Sequence, residues 1–469
     1  MSEKFVNIDR ETPMLLPVDM REWLPEDHLV HFVIEVVGSM DLWAFSVNGR
    51  GTGSAQYPPS MLLALLVYCY ATGRFSSRVI EQASYYDLAV RYICADTHPD
   101  HDTICTFRRR NRKAFERFFT HVLEVAAQSG AMKKVGTVSV DGTKVKASAS
   151  KHSAVSYKRA QQMVARLEQE VAALTERAEQ ADGTKESACE TSLPEEIRRR
   201  EDRKAKISEA IAVIEARHKE KLAQEKEAYE AKVAKRKERR ERGERVGGKE
   251  PKAPCESVPA KAQYNFTDPQ SRIMKAGSGK HFEQAYNAQA AVEVESMLIV
   301  SNHVSDNAND KGELTRALEG AKEAGFEVEK ALADTGYYSE KAVEEAGKEG
   351  IETYIALGRQ GHGYTLEKIL GEEEQEAALL RNAGPKERMA HKLKSKEGAK
   401  LYALRKQTVE PAFGIIKQCM RFRRFLMRGK ERVSLEWNLV CSAYNMKRLF
   451  NLTRKREGGV LASKMPKPA

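Results

Sequence analysis

The sequence predicts an α/β fold: a mixed five-stranded sheet domain, preceded by an all-α N-terminal domain and interrupted by an inserted helical hairpin or coiled coil. Three observations predict it. Residues 1–134 carry helix starts and helical periodicity. A heptad seam opens at Tyr157. After a stretch with three prolines and three glycines, Gly243–Lys261, short apolar β-branched runs alternate with helical ones.

In the N-terminal segment, Pro25-Glu26-Asp27-His28 opens an apolar-periodic stretch, Leu29–Val37. Pro58-Pro59-Ser60 starts a buried helix through Ala71, and helices follow over Ser76–Tyr86 and Asp102–Gln128. The last contains a dense basic cluster, Arg108, Arg109 and Arg110 with Arg112 and Lys113, beside Phe115, Phe118 and Phe119. Phenylalanines at that spacing belong in a core. The arginines point to an anion, and DNA phosphate is the expected one.

From Tyr157 the seam runs through Ala160, Val164, Leu167, Val171, Leu174, Ala178 and Ala181, with spacings of three and four and charges between. Such a seam packs a helix along a partner. Asp182–Leu193 breaks it, and Ser192-Leu193-Pro194-Glu195 restarts a helix in capping-box register with Pro at the first turn. Leu193, Ile197, Lys204, Ile207, Ile211, Ile214, His218 and Leu222 continue a weaker seam. The central break favours an antiparallel hairpin over 155–242; a dimerising coiled coil is the alternative. The domain division expected is 1–134, 135–154, the insertion and linker 155–261, 262–451, and a basic tail, 452–469.

The α/β part starts with the strand Val135–Val140. After the insertion come strands Phe282–Glu293 and Met297–Val304, joined at Glu295-Ser296, then a helix over Lys311–Ala324. Glu329–Ala333 is a strand, Ser339 caps a helix to Lys348, and Ile351–Leu357 is a strand. Gly358–Ala399 reads as irregular, Lys400–Met420 as a helix broken at Pro411, and Arg421–Asn451 as a basic segment leading to an amphipathic helix. This is the order of a ribonuclease-H-like domain with a helical insertion after its first strand.

Composition narrows the partners. Among 469 residues, 78 Lys and Arg exceed 67 Asp and Glu, giving a net charge of +11. That is a mixed surface with basic patches, suited to a polyanion. The seven cysteines (Cys69, Cys94, Cys105, Cys189, Cys255, Cys419, Cys441) form no Cys-x-x-Cys pair, which argues against a zinc site or a disulfide framework. Met1–Arg10 does not read as a signal peptide, and the longest apolar run, Met61–Tyr70, is too short to cross a bilayer. A cytoplasmic protein, nucleoid-associated when bound to DNA, is expected, with no membrane partner.

Three acids fall where such a domain places carboxylates: Asp141 after Val138-Ser139-Val140, Asp334 after Ala333, and Glu410 in a helical stretch rich in Arg and Lys. Each has an ordinary reading, as a turn residue before Gly142, a loop cap before Gly336, or a charge before Pro411. Only a split oxygen site explains all three. Hard divalent cations prefer oxygen ligands, and two of them, roughly 3.5–4 Å apart, suit phosphoryl transfer. Asp268, Asp306 and Asp310 flank the same sheet and read as turn formers, the substitutes should one of the three acids fail. His281, His303 and His362 form no ligand spacing.

The chain resembles a bacterial insertion-sequence transposase of the DDE class over nearly its whole length. The N-terminal likeness rests on Leu24-Pro25-Glu26-Asp27-His28-Leu29-Val30, Tyr57-Pro58-Pro59, Ala71-Thr72-Gly73 and Pro99-Asp100-His101-Asp102-Thr103-Ile104. The catalytic likeness rests on Val140-Asp141-Gly142-Thr143-Lys144, Tyr286-Asn287-Ala288-Gln289, Ala333-Asp334-Thr335-Gly336-Tyr337 and Glu410-Pro411-Ala412-Phe413-Gly414. The family's Tyr–Arg–Glu–Lys signature is matched by Tyr402, Arg405, Glu410 and Lys417, with one extra residue between Arg405 and Glu410. On a continuous helix Tyr402, Glu410 and Lys417 share a face, while Arg405 lies about 60° to the other side of Tyr402 and Lys406 is nearer. Either Arg405 or Lys406 is then the DNA contact.

The resemblance implies that Asp141, Asp334 and Glu410 are catalytic and hold two Mg²⁺ ions, with Mn²⁺ as a substitute. It implies DNA contacts from Tyr402, Arg405 and Lys417. Arg423 and Arg424, in a run that interleaves cations with aromatics, are expected to line a nucleic-acid channel. The implied activity is 3′-end cleavage at the terminal inverted repeats of a mobile element and strand transfer into target DNA, by a homo-oligomer in which a dimer is favoured. A metal-dependent nuclease of the same fold without strand transfer, and a catalytically silent DNA-binding protein, are the alternatives. The insertion would contact DNA, brace a dimer, or both.

Overall fold

The structure is a computed structural model that describes residues 19–46, 55–182, 193–243, 247, 250–275, 281–358 and 384–456. In chain order its main elements are α1 (Leu29–Gly38), α2 (Pro59–Ala71), α3 (Ser77–Tyr86), α4 (Leu88–Ile93), α5 (His101–Arg110) and α6 (Arg112–Gln128). Strand β1 (Val135–Lys146) and β2 (Ala154–Ser156) lead to α7 (Tyr157–Asp182) and α8 (Leu193–Glu241). Then come β3 (Gln263–Asn265), β4 (Arg272–Lys275), β5 (Phe282–Glu293), β6 (Ile299–Ser305), α9 (Glu313–Glu323), β7 (Glu327–Ala333), α10 (Glu340–Lys348) and β8 (Glu352–Ile355). The chain closes with α11 (Pro385–Lys394), α12 (Lys396–Gly414) and α13 (Lys430–Arg456). It divides into two compact units, one made of 1–145 with 286–469 and the other of 146–285.

The first unit joins the N-terminal helices and the sheet around one core. β5 lies beside β1, and β1 lies beside β7 and β7 beside β8. The β1–β7 and β7–β8 pairs are parallel, and β5–β6 is antiparallel. Helix α13 was expected to be amphipathic, but Trp437, Leu439, Val440, Cys441, Ala443, Tyr444 and Met446 are all buried. The middle of the helix is enclosed on every side, with Glu436, Asn438, Ser442 and Asn445 buried among these apolar residues. Ring contacts surround it: Phe32 with Phe450, and Phe422 with both Phe75 and Trp437. Asn445, fully buried, accepts from the Ile299 N–H and donates to its carbonyl, so α13 pairs backbone groups of β6 that the sheet leaves open.

Several expectations change. β1 runs six residues beyond Val140, so Asp141 and Gly142 lie within the strand and form no turn. The helix expected over 102–128 is two, parted at Asn111, whose side chain donates to the Phe107 carbonyl and accepts from the Ser46 N–H. Pro385–Lys394 is helical where an irregular stretch was expected; 359–383 of that stretch lies outside the described residues. Helix α12 runs through Pro411 rather than breaking there, and a π-helical turn, Ile415–Cys419, follows it. Short strands β2, β3 and β4 carried too few residues for any periodicity to show.

In the second unit, α7 and α8 pair antiparallel. Tyr157 donates to Glu215 (2.7 Å), and Lys204 and Arg200 meet Glu168 and Glu170 (3.1 and 3.2 Å). The small core is built on Val155, Ala160, Leu167 and Ile207, with Met163, Val164, Ile211 and Tyr264 against it. Both seams thus supply the packing. No helix among the described residues is long and apolar enough to cross a membrane.

Candidate active site

Strand register brings the first two acids together. β1 and β7 are parallel and pair Val140 with Ala333, and the next residue on each is an acid. Asp141 and Asp334 are thereby neighbours across two adjacent strands. Each carboxylate is oriented by a backbone donor: Asp141 Oδ1 accepts from the Gly142 N–H (2.8 Å), and Asp334 Oδ1 from the Gly336 N–H (2.6 Å). The second bond caps the short 3-10 turn Thr335–Tyr337.

Glu410 arrives on α12. That helix is held by Leu401, Tyr402 and Leu404, which pack on Leu332, Tyr354, Met389 and Leu393. Arg405 then links the elements. Its guanidinium lies 3.5 Å from Asp141 Oδ2 and 3.1 Å from Glu410 Oε1, with Tyr402 beneath it at 6.0 Å. Its side chain is 10% exposed, whereas that of Glu410 is 50% exposed. Burial and two carboxylates around one cation make Arg405 the centre of the group. Lys406, which the helical wheel set nearer the shared face, is exposed instead. The reach of the Arg405 side chain covers the angular offset that a wheel drawn on Cα positions shows.

Lys417 reaches β1 from the π-helical turn. Its Nζ donates to Thr143 Oγ1 (2.5 Å) and to the Lys144 carbonyl (3.0 Å). Burial pulls the Lys417 pKa down, and the Lys144 charge adds to the effect.

A fourth carboxylate stands in the group. Asp310 Oδ1 accepts from Asn287 Nδ2 (2.6 Å) and Gln289 Nε2 (2.8 Å), with Lys144 Nζ at 3.6 Å. Its backbone carbonyl makes the expected turn to the Glu313 N–H, yet its side chain faces the acids. Asp268 and Asp306 keep to other duties: Asp268 closes a turn to Ser271, and Asp306 pairs with Lys430 at 2.8 Å. The Asp141 carboxyl is pushed up to about 6. Burial is the main cause; the Gly142 N–H and Arg405 pull it down, and Asp334 and Asp310 push it up. Among the described residues, no three His, Cys, Asp or Glu side chains stand at metal-ligand spacing. Arg405 holds the position between Asp141 and Glu410.

The basic residues divide. Arg108 is buried; it donates to the Tyr70 hydroxyl (2.6 Å) and to the Phe75 carbonyl (3.1 Å). That corrects its expected place at a DNA surface: it turns inward from a helix whose next two residues, Arg109 and Arg110, are exposed. Arg423 and Arg424 are exposed while Phe422 and Phe425 are buried. Arg423 donates to the Lys417 carbonyl at 3.2 Å.

Two family models match the chain: a transposase DDE domain over residues 367–450 and a transposase domain of the DUF772 type over residues 18–110. The first span contains Glu410, Lys417, Arg423 and Arg424, and the second contains Arg108, Arg109 and Arg110. Asp141 and Asp334 lie outside both. No curated protein and no solved structure matches the chain.

Proposed function

For a chain that belongs to the DDE transposases of insertion sequences, we propose that Asp141, Asp334 and Glu410 form the phosphoryl-transfer site that cuts the 3′ ends of the element and joins them to target DNA. The observation that carries this reading is the register of β1 and β7, which makes Asp141 and Asp334 neighbours, with Glu410 tied to Asp141 through Arg405. The order β6–β5–β1–β7–β8 supports the ribonuclease-H-like reading of the sheet.

The residues fit a hard divalent cation. The donors are all oxygens, and Asn287, fully buried, leaves its Oδ1 without a partner beside them. When bound, two Mg²⁺ ions would supply an activated attacking oxygen and a stabilised leaving oxygen for in-line transfer. The protein's own part is positional. The N–H groups of Gly142 and Gly336 fix two carboxylates before DNA arrives, and Arg405 offsets the repulsion between Asp141 and Glu410. Lys417, Arg423, Arg424, Arg109 and Arg110 are the candidates for phosphate contacts, which set DNA register without reading sequence. Water and the DNA 3′-hydroxyl serve in turn as nucleophile, so the chemistry calls for no covalent protein intermediate.

The test is an end-cleavage assay on a labelled duplex that carries the element's terminal inverted repeat, in Mg²⁺, with Asp334→Asn alongside. Cleavage at the element boundary by the wild type alone is expected, followed by joined product with a target plasmid. Cleavage without any joined product would favour a nuclease of the same fold. Equal cleavage by Asp334→Asn would remove this acid from the site.

A further inference from the structure

The group around Gly142 holds more than the three acids. A methyl group at Gly142 would lie 2.8 Å from Asn287 Oδ1 and 2.9 Å from Asp310 Oδ1, and would collide with Gln289 Nε2. A methyl group at Gly336 would sit 3.0 Å from Asp334 Oδ1 and 3.4 Å from Asp310 Oδ2. Asp310 therefore stands between the two strands' acids. Its two oxygens differ: Oδ1 takes both amides, while Oδ2 is turned towards Gly336 and Asp334.

Two features are costly unless something else binds there. Asn287 is fully buried with its Oδ1 unpaired, and a buried acceptor without a donor is destabilising. Asn287 and Gln289 also spend their amide N–H groups on holding one carboxylate against others of the same sign. Gln289 is itself held from behind, by the Tyr337 hydroxyl on its Oε1. A turn-forming Asp would need none of this.

We infer that Asp310 is a fourth oxygen ligand of the site, held in place by Asn287 and Gln289 and completed by Asn287 Oδ1, so that it shares a divalent cation with Asp334. The inference rests on the proposed phosphoryl-transfer reading of the site and extends it to residues outside the three acids. Lys144, whose amine lies 3.6 Å from Asp310 and is otherwise unpaired, offsets the charge until the cation binds.

Mn²⁺ binding to the full chain, without DNA, tests it by electron paramagnetic resonance of the free ion. Asp310→Asn keeps the shape and removes the charge; it is expected to weaken Mn²⁺ at one site by about tenfold or more. Asp334→Asn is expected to weaken the same site. Loss with Asp334→Asn but none with Asp310→Asn overturns this inference and leaves the three-acid reading standing. Mn²⁺ binding that neither variant changes, or none by the wild type, overturns both. A variant that fails to fold does not block the test, because Fe²⁺ with ascorbate cleaves the wild-type backbone beside a bound ion. Fragments ending near residue 310 as well as near 334 support the assignment; cleavage near 334 alone refutes it.

Discussion

Replacing Arg108 by Met should unfold the protein more readily without altering how the folded fraction binds DNA. Arg108 sits in a core pocket with the Tyr70 hydroxyl and the Phe75 carbonyl, and its charge acts on Glu436, which is fully buried. Glu436 also accepts from the N–H groups of Leu426 (2.9 Å) and Met427 (3.0 Å). Methionine fills similar volume, so the cavity cost is small. It orphans two acceptors and strips a buried carboxylate of its countercharge. Loss of the charged hydrogen bond to Tyr70 costs about 1.5–3 kcal/mol, and the loss of a positive charge acting on Glu436 adds to it. Burial already raises the Glu436 pKa, with Arg108 and the two N–H groups opposing it. Without Arg108 it rises further. A carboxyl with a folded pKa above its unfolded value is stabilising below the unfolded value and loses that contribution as pH climbs through the folded one. The deficit of Arg108→Met must therefore be larger at neutral pH than near pH 5. Urea denaturation at both pH values measures it, with Arg108→Met/Glu436→Gln expected to recover most of the loss. A deficit below about 1 kcal/mol, flat with pH, would refute the structural role and return Arg108 to the DNA surface.

Other perturbations separate site from scaffold. Arg405→Met should destabilise the metal-free protein by about 1–3 kcal/mol, a bare Coulomb value near 5 being reduced because Glu410 is half exposed. Mg²⁺ should then raise its melting temperature more than it raises the wild type's; an equal rise counts against Arg405 standing in for a cation. Gly142→Ala should cost about 1–3 kcal/mol in urea unfolding, because a methyl group meets Gln289, Asn287 and Asp310; a neutral effect would mean those side chains yield freely. His28, His121 and His303 all have pKa values lowered by burial, partly opposed at His303 by Glu313. Below about pH 6.5 the unfolded chain takes up protons that the folded one refuses, so the melting temperature should fall from pH 7.5 to 6, less steeply in His303→Gln; Asp141 acts in the opposite sense only below about 6.

The parts of this architecture that the sequence made legible are those with a period or a cap. The α7 seam is buried or half-buried at each position from Tyr157 to Ala178, and Ser339 accepts from the Ala342 N–H at the start of α10 as its spacing implied. Asp334 was legible because a strand ends there. Asp141 was legible as an acid but not as a mid-strand residue, since Gly142 and Thr143 look like a turn until Asn287 and Gln289 are set beside them. Helix α11 was hidden by a polar composition, and its apolar contacts, Met389 and Leu393, gain meaning only from Leu332 and Tyr354. Asp310 was readable as a turn residue and is one by its backbone. Its side-chain role depends on Asn287 and Gln289 more than twenty positions away, and no local pattern encodes that. The one signal available was the alternation of Asn287 and Gln289 along β5, two buried amides on one face of a strand.

Two kinds of positioning meet at this site, and they differ in stiffness. Asp141 and Asp334 are fixed by a parallel register and by backbone N–H groups, so moving either one means shifting a strand. Glu410 is half exposed and held to the sheet by an ion pair that a competing cation can replace. Near these groups stand four carboxylates, Asp141, Asp310, Asp334 and Glu410, and three cations, Arg405, Lys144 and Lys417. Arg405 offsets Asp141 and Glu410, Lys144 stands 3.6 Å from Asp310, and Asp334 is held by the Gly336 N–H. On the proposed reading, the rigid pair would set where the scissile phosphate sits, and the helix acid, released from Arg405 by a bound cation, would complete the site.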